Sequence, residues 1–194
     1  MKIHSLPIYF RFAFIGAFVL PAMACAATPA LIDDFSAPAH TTGGMGRFIV
    51  DDKSLGSQSH ATQHCADGVL AVEGELIPGR GVPAFVSVPL LLVSDGKPQD
   101  ISAYAGVRLR LKVLKGPLSV QVSSADIQNF DYHAAVVAAK RGTYVEVRLP
   151  FGDFKRSWSE QVPLNTKNVT SVNLVAFAME KTAFAYEIDE IGFY

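Results

Sequence analysis

Cysteine is almost missing from this chain of 194 residues, which holds only Cys25 and Cys65. A disulfide-stapled scaffold and a cysteine-rich metal site are therefore both excluded. Neither sign of charge dominates, with Lys+Arg 17 against Asp+Glu 18. Without a basic surplus there is no electrostatic grip on a phosphate backbone, so nucleic acid is excluded as a partner. Apolar runs are short. The longest, Phe12 to Leu20, falls well under the roughly 20 residues that cross a bilayer, so no transmembrane segment is expected in the mature chain. Amphipathic helical spacing is absent beyond the first segment. No Gly-x-Ser-x-Gly elbow and no phosphate-cradling glycine loop occur, and spacing selects no carboxylate pair for acid–base work. The chain is read as not an enzyme.

The apolar run belongs to a leader. Lys2 and Arg11 precede it without an acidic residue, and Pro21 and the small-x-small triplet Ala24-Cys25-Ala26 follow. That order is a secretory signal peptide over residues 1–26, and it sends the rest to the periplasm or beyond. Ala22-Met23-Ala24-Cys25 also loosely matches a lipobox, so the alternative is a lipoprotein anchored through Cys25. Once Cys25 leaves with the leader, Cys65 has no internal partner.

The remainder suits a single domain. Residues 27–47 read as a flexible lead-in carrying a first strand at Leu31 to Phe35, because Ala37 to Gly46 is small, polar and glycine-rich. Residues 48–194 read as short strands separated by turns. Asp67-Gly68 is a hairpin signal that sets Cys65 opposite Leu70 and Gln63 opposite Val72. His64 then opposes Ala71 and His60 opposes Glu75, so Cys65 faces inward as a buried thiol. Val107 to Val113 alternates cleanly, Val172 to Met179 is almost continuously apolar as in a central strand, and Tyr144 to Leu149 is a strand that Pro150 stops or confines to an edge. The fold class is all-β, an antiparallel β-sandwich of jelly-roll type. The strand at Tyr144 is expected to be the one that the others stack around.

Several stretches in register resemble the complex I intermediate-associated protein family. They are Val50 to Ser59, Gly68 to Gly74, Ala105 to Arg110, Val147 to Phe154 and Tyr186 to Phe193. The resemblance spans nearly all of the mature chain. It implies a galactose-binding-like jelly roll and a binding or assembly role on a protein partner. Exported relatives of this sandwich resemble carbohydrate-binding modules, which makes a polysaccharide the alternative partner.

Arg108, Arg110 and Lys112 share one strand face, and three like charges in a row need compensation from Glu73, Glu146 or an anionic or hydroxyl-rich ligand. Asp51 and Asp52 precede Gly56. They either present carboxylates to a ligand or close a turn in which Gly56 takes a positive φ. Trp158 sits in the polar loop Lys155 to Ser159, as a ligand platform or as a lid on the sandwich end. Asp33 and Asp34 meet Asp189 and Glu190 if the first and last strands are neighbours, and Asp34 and Asp189 would then hold a structural Ca²⁺. No other cofactor is implied.

Overall fold

The computed structural model describes residues 28–194; the leader and Cys25 lie outside them. Eleven strands follow in chain order: β1 (Leu31–Asp33), β2 (Val50–Asp51), β3 (His60–Ala66), β4 (Val69–Leu76), β5 (Ala84–Leu91), β6 (Gly106–Lys115), β7 (Ser119–Ser124), β8 (His133–Val136), β9 (Val145–Pro150), β10 (Val169–Ala178) and β11 (Thr182–Phe193). They form two antiparallel sheets packed as a jelly-roll sandwich. The six-stranded sheet has the order β3-β4-β11-β6-β9, with β1 also paired to β11. The five-stranded sheet has the order β2-β5-β10-β7-β8. No α-helix occurs among the described residues, and two short 3₁₀ turns stand at Lys53–Leu55 and Phe151–Asp153.

Alternation along each strand decides what enters the core. Leu109 and Leu111 on β6, Ile188 and Ile191 on β11, and Leu70 on β4 face inward from one sheet. Val86, Val88 and Leu90 on β5 and Val172 and Leu174 on β10 meet them from the other. Each such side chain contributes about 1.5–3 kcal/mol by leaving water. Strand β10 is central, as its apolar run predicts, but only the first part of that run is buried: Val172, Leu174 and Ala176 enter the core, whereas Phe177 and Met179 are exposed.

The hairpin β3-β4 has the expected register residue for residue, from His60 opposite Glu75 to Cys65 opposite Leu70. Its turn works because Asp67 and Gly68 both take positive φ, the combination that matches the strands' twist. Cys65 points inward, is half-buried and free, and burial pushes its thiol up.

Two expectations need correction. Strand β9, which starts just after Tyr144, is the outer strand of its sheet, and β11 is the one the others assemble around. Pro150 fits that edge position, since it offers no N–H to a further strand. Residues 27–47 are also not a loose lead-in over their described part. Phe35 and Met45 are buried, β1 pairs with β11, and Asp33 is gripped inside by Arg47.

Candidate functional site

The cationic face comes first. Arg108, Arg110 and Lys112 do project together from β6, and the neighbouring β11 answers each of them. Arg108 pairs with Glu190, Arg110 with Asp189 at 3.2 Å, and Lys112 with Glu187 at 2.7 Å. A bulge in the β11–β6 register lets the consecutive Asp189 and Glu190 face the same side. The compensation expected from Glu73 does not occur, and Glu146 pairs instead with Arg148 at 2.8 Å. Tyr144 completes the lattice. Its hydroxyl donates to Glu187 at 2.8 Å, and Arg110 and Lys112 lie over its ring. Hydrogen bonds from Lys112 and Tyr144 hold Glu187 below the usual carboxylate range, while burial pushes Asp189 up. Burial and the Glu187 bond push the Tyr144 phenol up to about 12. Arg108 and Arg110 are therefore committed to this chain's own carboxylates.

The carboxylates proposed for calcium do not converge. Strands β1 and β11 are neighbours, but Asp33 turns inward to Arg47. Asp34 accepts from Ser36 and Thr42 on the loop side, and Asp189 faces Arg110. No group of three or more His, Cys, Asp or Glu with metal-holding geometry occurs among the described residues.

The Asp51-Asp52 pair divides. Asp51 is near the surface on Lys53 at 2.5 Å. Asp52 is wholly buried, accepting from Ser59 Oγ at 2.6 Å, Ser59 N at 3.2 Å and Phe85 N at 2.8 Å. It ties the approaches of β3 and β5 to β2. Gly56 takes φ 86°, so this motif closes a turn in the way the alternative reading of the sequence expects.

Trp158 is different. Its ring is 67% exposed, so it is no lid on the sandwich end. Its loop is nevertheless fixed from beneath. The buried Asp131 carboxylate accepts three consecutive backbone N–H groups: Ser157 at 2.8 Å, Trp158 at 3.1 Å and Ser159 at 2.6 Å. Burial acts to raise this carboxyl, but those N–H bonds outweigh it and hold it below the usual range. Arg156 donates to the Asp131 carbonyl and to Asn129 Oδ1, and Asn129 donates to Ser159 Oγ at 2.9 Å. Next to Asp131 stands Phe130, 74% exposed and held at φ 61°, a conformation an aromatic residue adopts only under constraint. Two largely exposed aromatic residues thus flank one buried anion, and Phe130 meets Tyr132 edge-on at 6.4 Å between centroids. Sequence reasoning picked out Trp158 from its polar loop and named Phe130 among the rings that could stack on a sugar, but it missed Asp131. An acid between two aromatics hinted at burial, yet nothing in the sequence linked it to a loop 26 residues away.

The outward side of the five-stranded sheet is the last surface. Register places Val50, Ser87, Val175, Ser119 and Val136 in one row across all of its strands. The next row is Pro89, Asn173, Gln121 and Ala134.

Fold and surfaces together define a galactose-binding-like β-sandwich with solvent-facing sheet faces and an aromatic loop. The profile described as "Complex I intermediate-associated protein 30" matches residues 34–188, and the chain belongs to that family. No curated protein sequence matches it. Among solved structures, the chain is similar to the family 11 carbohydrate-binding module of the cellulosomal cellulase Lic26A-Cel5E of Clostridium thermocellum. That likeness has a TM-score of 0.57 at 13% identity, covering 87% of this chain and 95% of that one. The family 11 module in complex with a β-1,3-1,4-mixed-linked tetrasaccharide matches with a TM-score of 0.55 at 14% identity, over 87% and 96% of the two chains. A family 4 module matches with a TM-score of 0.51 at 11% identity, over 86% and 100%.

Proposed function

We propose that this protein is a non-catalytic module that binds saccharide outside the cytoplasm. One observation carries the reading: Trp158 and Phe130 are largely exposed, and a buried Asp131 ties the Trp158 loop down through three backbone N–H groups. An exposed indole is costly unless something covers it, and a flat ring on a fixed loop suits the apolar face of a sugar. Rigidity matters because a platform ordered beforehand loses little entropy on binding. The tetrasaccharide complex of the family 11 module supports a sugar ligand for a sandwich of this kind. The leader at residues 1–26 supports export, and no described helix is long and apolar enough to cross a membrane.

The test is affinity electrophoresis against a panel of polysaccharides. We expect at least one polymer to retard the protein and Trp158→Ala to weaken that binding about tenfold, the loss of about 1.4 kcal/mol. Retention unchanged by Trp158→Ala and Phe130→Ala removes this platform. A second reading, docking of a protein partner in an assembly step, draws on the family's printed description. Cross-linking that captures one defined protein, with no polymer bound, would favour it.

A further inference from the structure

The two outward sheet faces differ in kind. The six-stranded sheet carries three ion pairs between β6 and β11. The rows of the five-stranded sheet carry no charged side chain at all. One row alternates apolar and hydroxyl groups, Val50, Ser87, Val175, Ser119 and Val136, and the next sets two amides between apolar ends, Pro89, Asn173, Gln121 and Ala134. Phe85 stands opposite Phe177 at one end. Ser87, Ser123, Ser171 and Asn173 are buried although they point outward, so small polar groups lie sunk between taller neighbours. Asn173 Nδ2 is fixed on Ser123 Oγ at 2.8 Å, whereas the Gln121 carboxamide is engaged by no described group. The outer edge of β8 leads directly to the aromatic loops. Lys155 pairs with Ala134, and Asp131, which holds the Trp158 N–H, lies two residues before β8.

We propose that this face is a track for a neutral, extended glycan laid across the strands, from Trp158 beside β8 toward Val50 on β2. The inference rests on the saccharide reading and names its ligand class. Charge decides the class. A uronate or sulfated chain would settle its anions where no cation answers them, at a desolvation cost nothing repays. A neutral sugar chain offers what the rows match, with C–H patches for the valines and hydroxyls for the serines and amides. Strand spacing of about 4.8 Å gives this row of five strands a span of roughly 19 Å, room for a chain segment and not only a chain end.

The experiment compares neutral polymers (mixed-linkage β-1,3-1,4-glucan, galactomannan and agarose) with polygalacturonate, at low and high salt. Parent, Val175→Lys, Gln121→Ala and Trp158→Ala are run side by side, with circular dichroism melts to confirm folding. We expect a neutral polymer to bind independently of salt, Val175→Lys to abolish that binding, and Gln121→Ala to weaken it about fivefold. Should Val175→Lys not fold, Gln121→Ala and Ser119→Ala decide the outcome in the same sense. Neutral binding that Trp158→Ala removes but the sheet variants leave intact overturns the track while the saccharide reading stands. Salt-sensitive binding of polygalacturonate overturns the neutral class alone. No polymer bound, with a dimer that Val175→Lys dissociates in sedimentation, overturns both and makes the face a self-association surface.

Discussion

Arg47 lays Nε and one terminal nitrogen against the two oxygens of Asp33, at 2.9 and 2.8 Å, with both side chains shut away from water. The same guanidinium lies 5.0 Å from the Phe35 ring centroid and donates to the Ala37 carbonyl. This pair fastens the loop before β2 to the strand that begins the described chain. Breaking it from one side leaves a buried charge alone, which costs about 3–5 kcal/mol. Arg47→Ala or Asp33→Ala should lower the unfolding free energy by that amount in denaturant titrations. The double change Arg47→Met with Asp33→Leu should recover much of it. Equal losses for single and double variants would disprove the pairing argument.

The two acids of the Asp51-Asp52 motif should behave very differently. Asp52→Ala strands the backbone N–H groups of Ser59 and Phe85, each unmade bond costing about 1–3 kcal/mol. Asp51→Ala removes only a partner of the largely exposed Lys53, worth less than about 1 kcal/mol. Equilibrium unfolding of the two variants would separate them, and matching losses would refute the division.

Asp131 predicts a pH dependence. Its carboxyl is held below the ordinary range when folded, so it contributes stability above its unfolded pKa of about 3.9 and loses that contribution as acid protonates the folded form. The stability gap between the parent and Asp131→Asn should be widest at neutral pH and close as pH falls below about 4. Taking the difference cancels the other acids. Trp158 is the only tryptophan, so its fluorescence anisotropy reads the same loop directly and should fall in Asp131→Asn.

The lattice on the six-stranded sheet should prove weak. Arg110 is mostly exposed, and Arg110→Ala should cost under about 1 kcal/mol, a cost that shrinks further in high salt. A larger, salt-insensitive loss would mean that the face is more than a surface ion network.

What could be read before any coordinates was local. The β3-β4 register follows from one turn dipeptide and a period of two, both contained within the hairpin. The β6 charges were legible as a row for the same reason. Their partners were not, because Glu187, Asp189 and Glu190 lie 75 to 82 residues away and strand order decides the pairing. The Asp131 cradle was hidden for the same cause. The lead-in misled through composition: Ala37 to Gly46 is polar and glycine-rich, yet buried Phe35, Met45 and Arg47 pin both of its ends.

Strand β11 is twelve residues long, pairs with β1, β4 and β6, and is the last of these strands to be synthesised. Until it arrives, the six-stranded sheet exists only as the separate hairpin β3-β4 and the pair β6-β9, with no shared centre. Leu70, Leu109 and Leu111, buried in the finished sandwich, lie on the two strands that β11 joins. Without Thr182–Phe193 the sheet would fall into pieces that no other strand joins, so this one segment is the keystone of six strands.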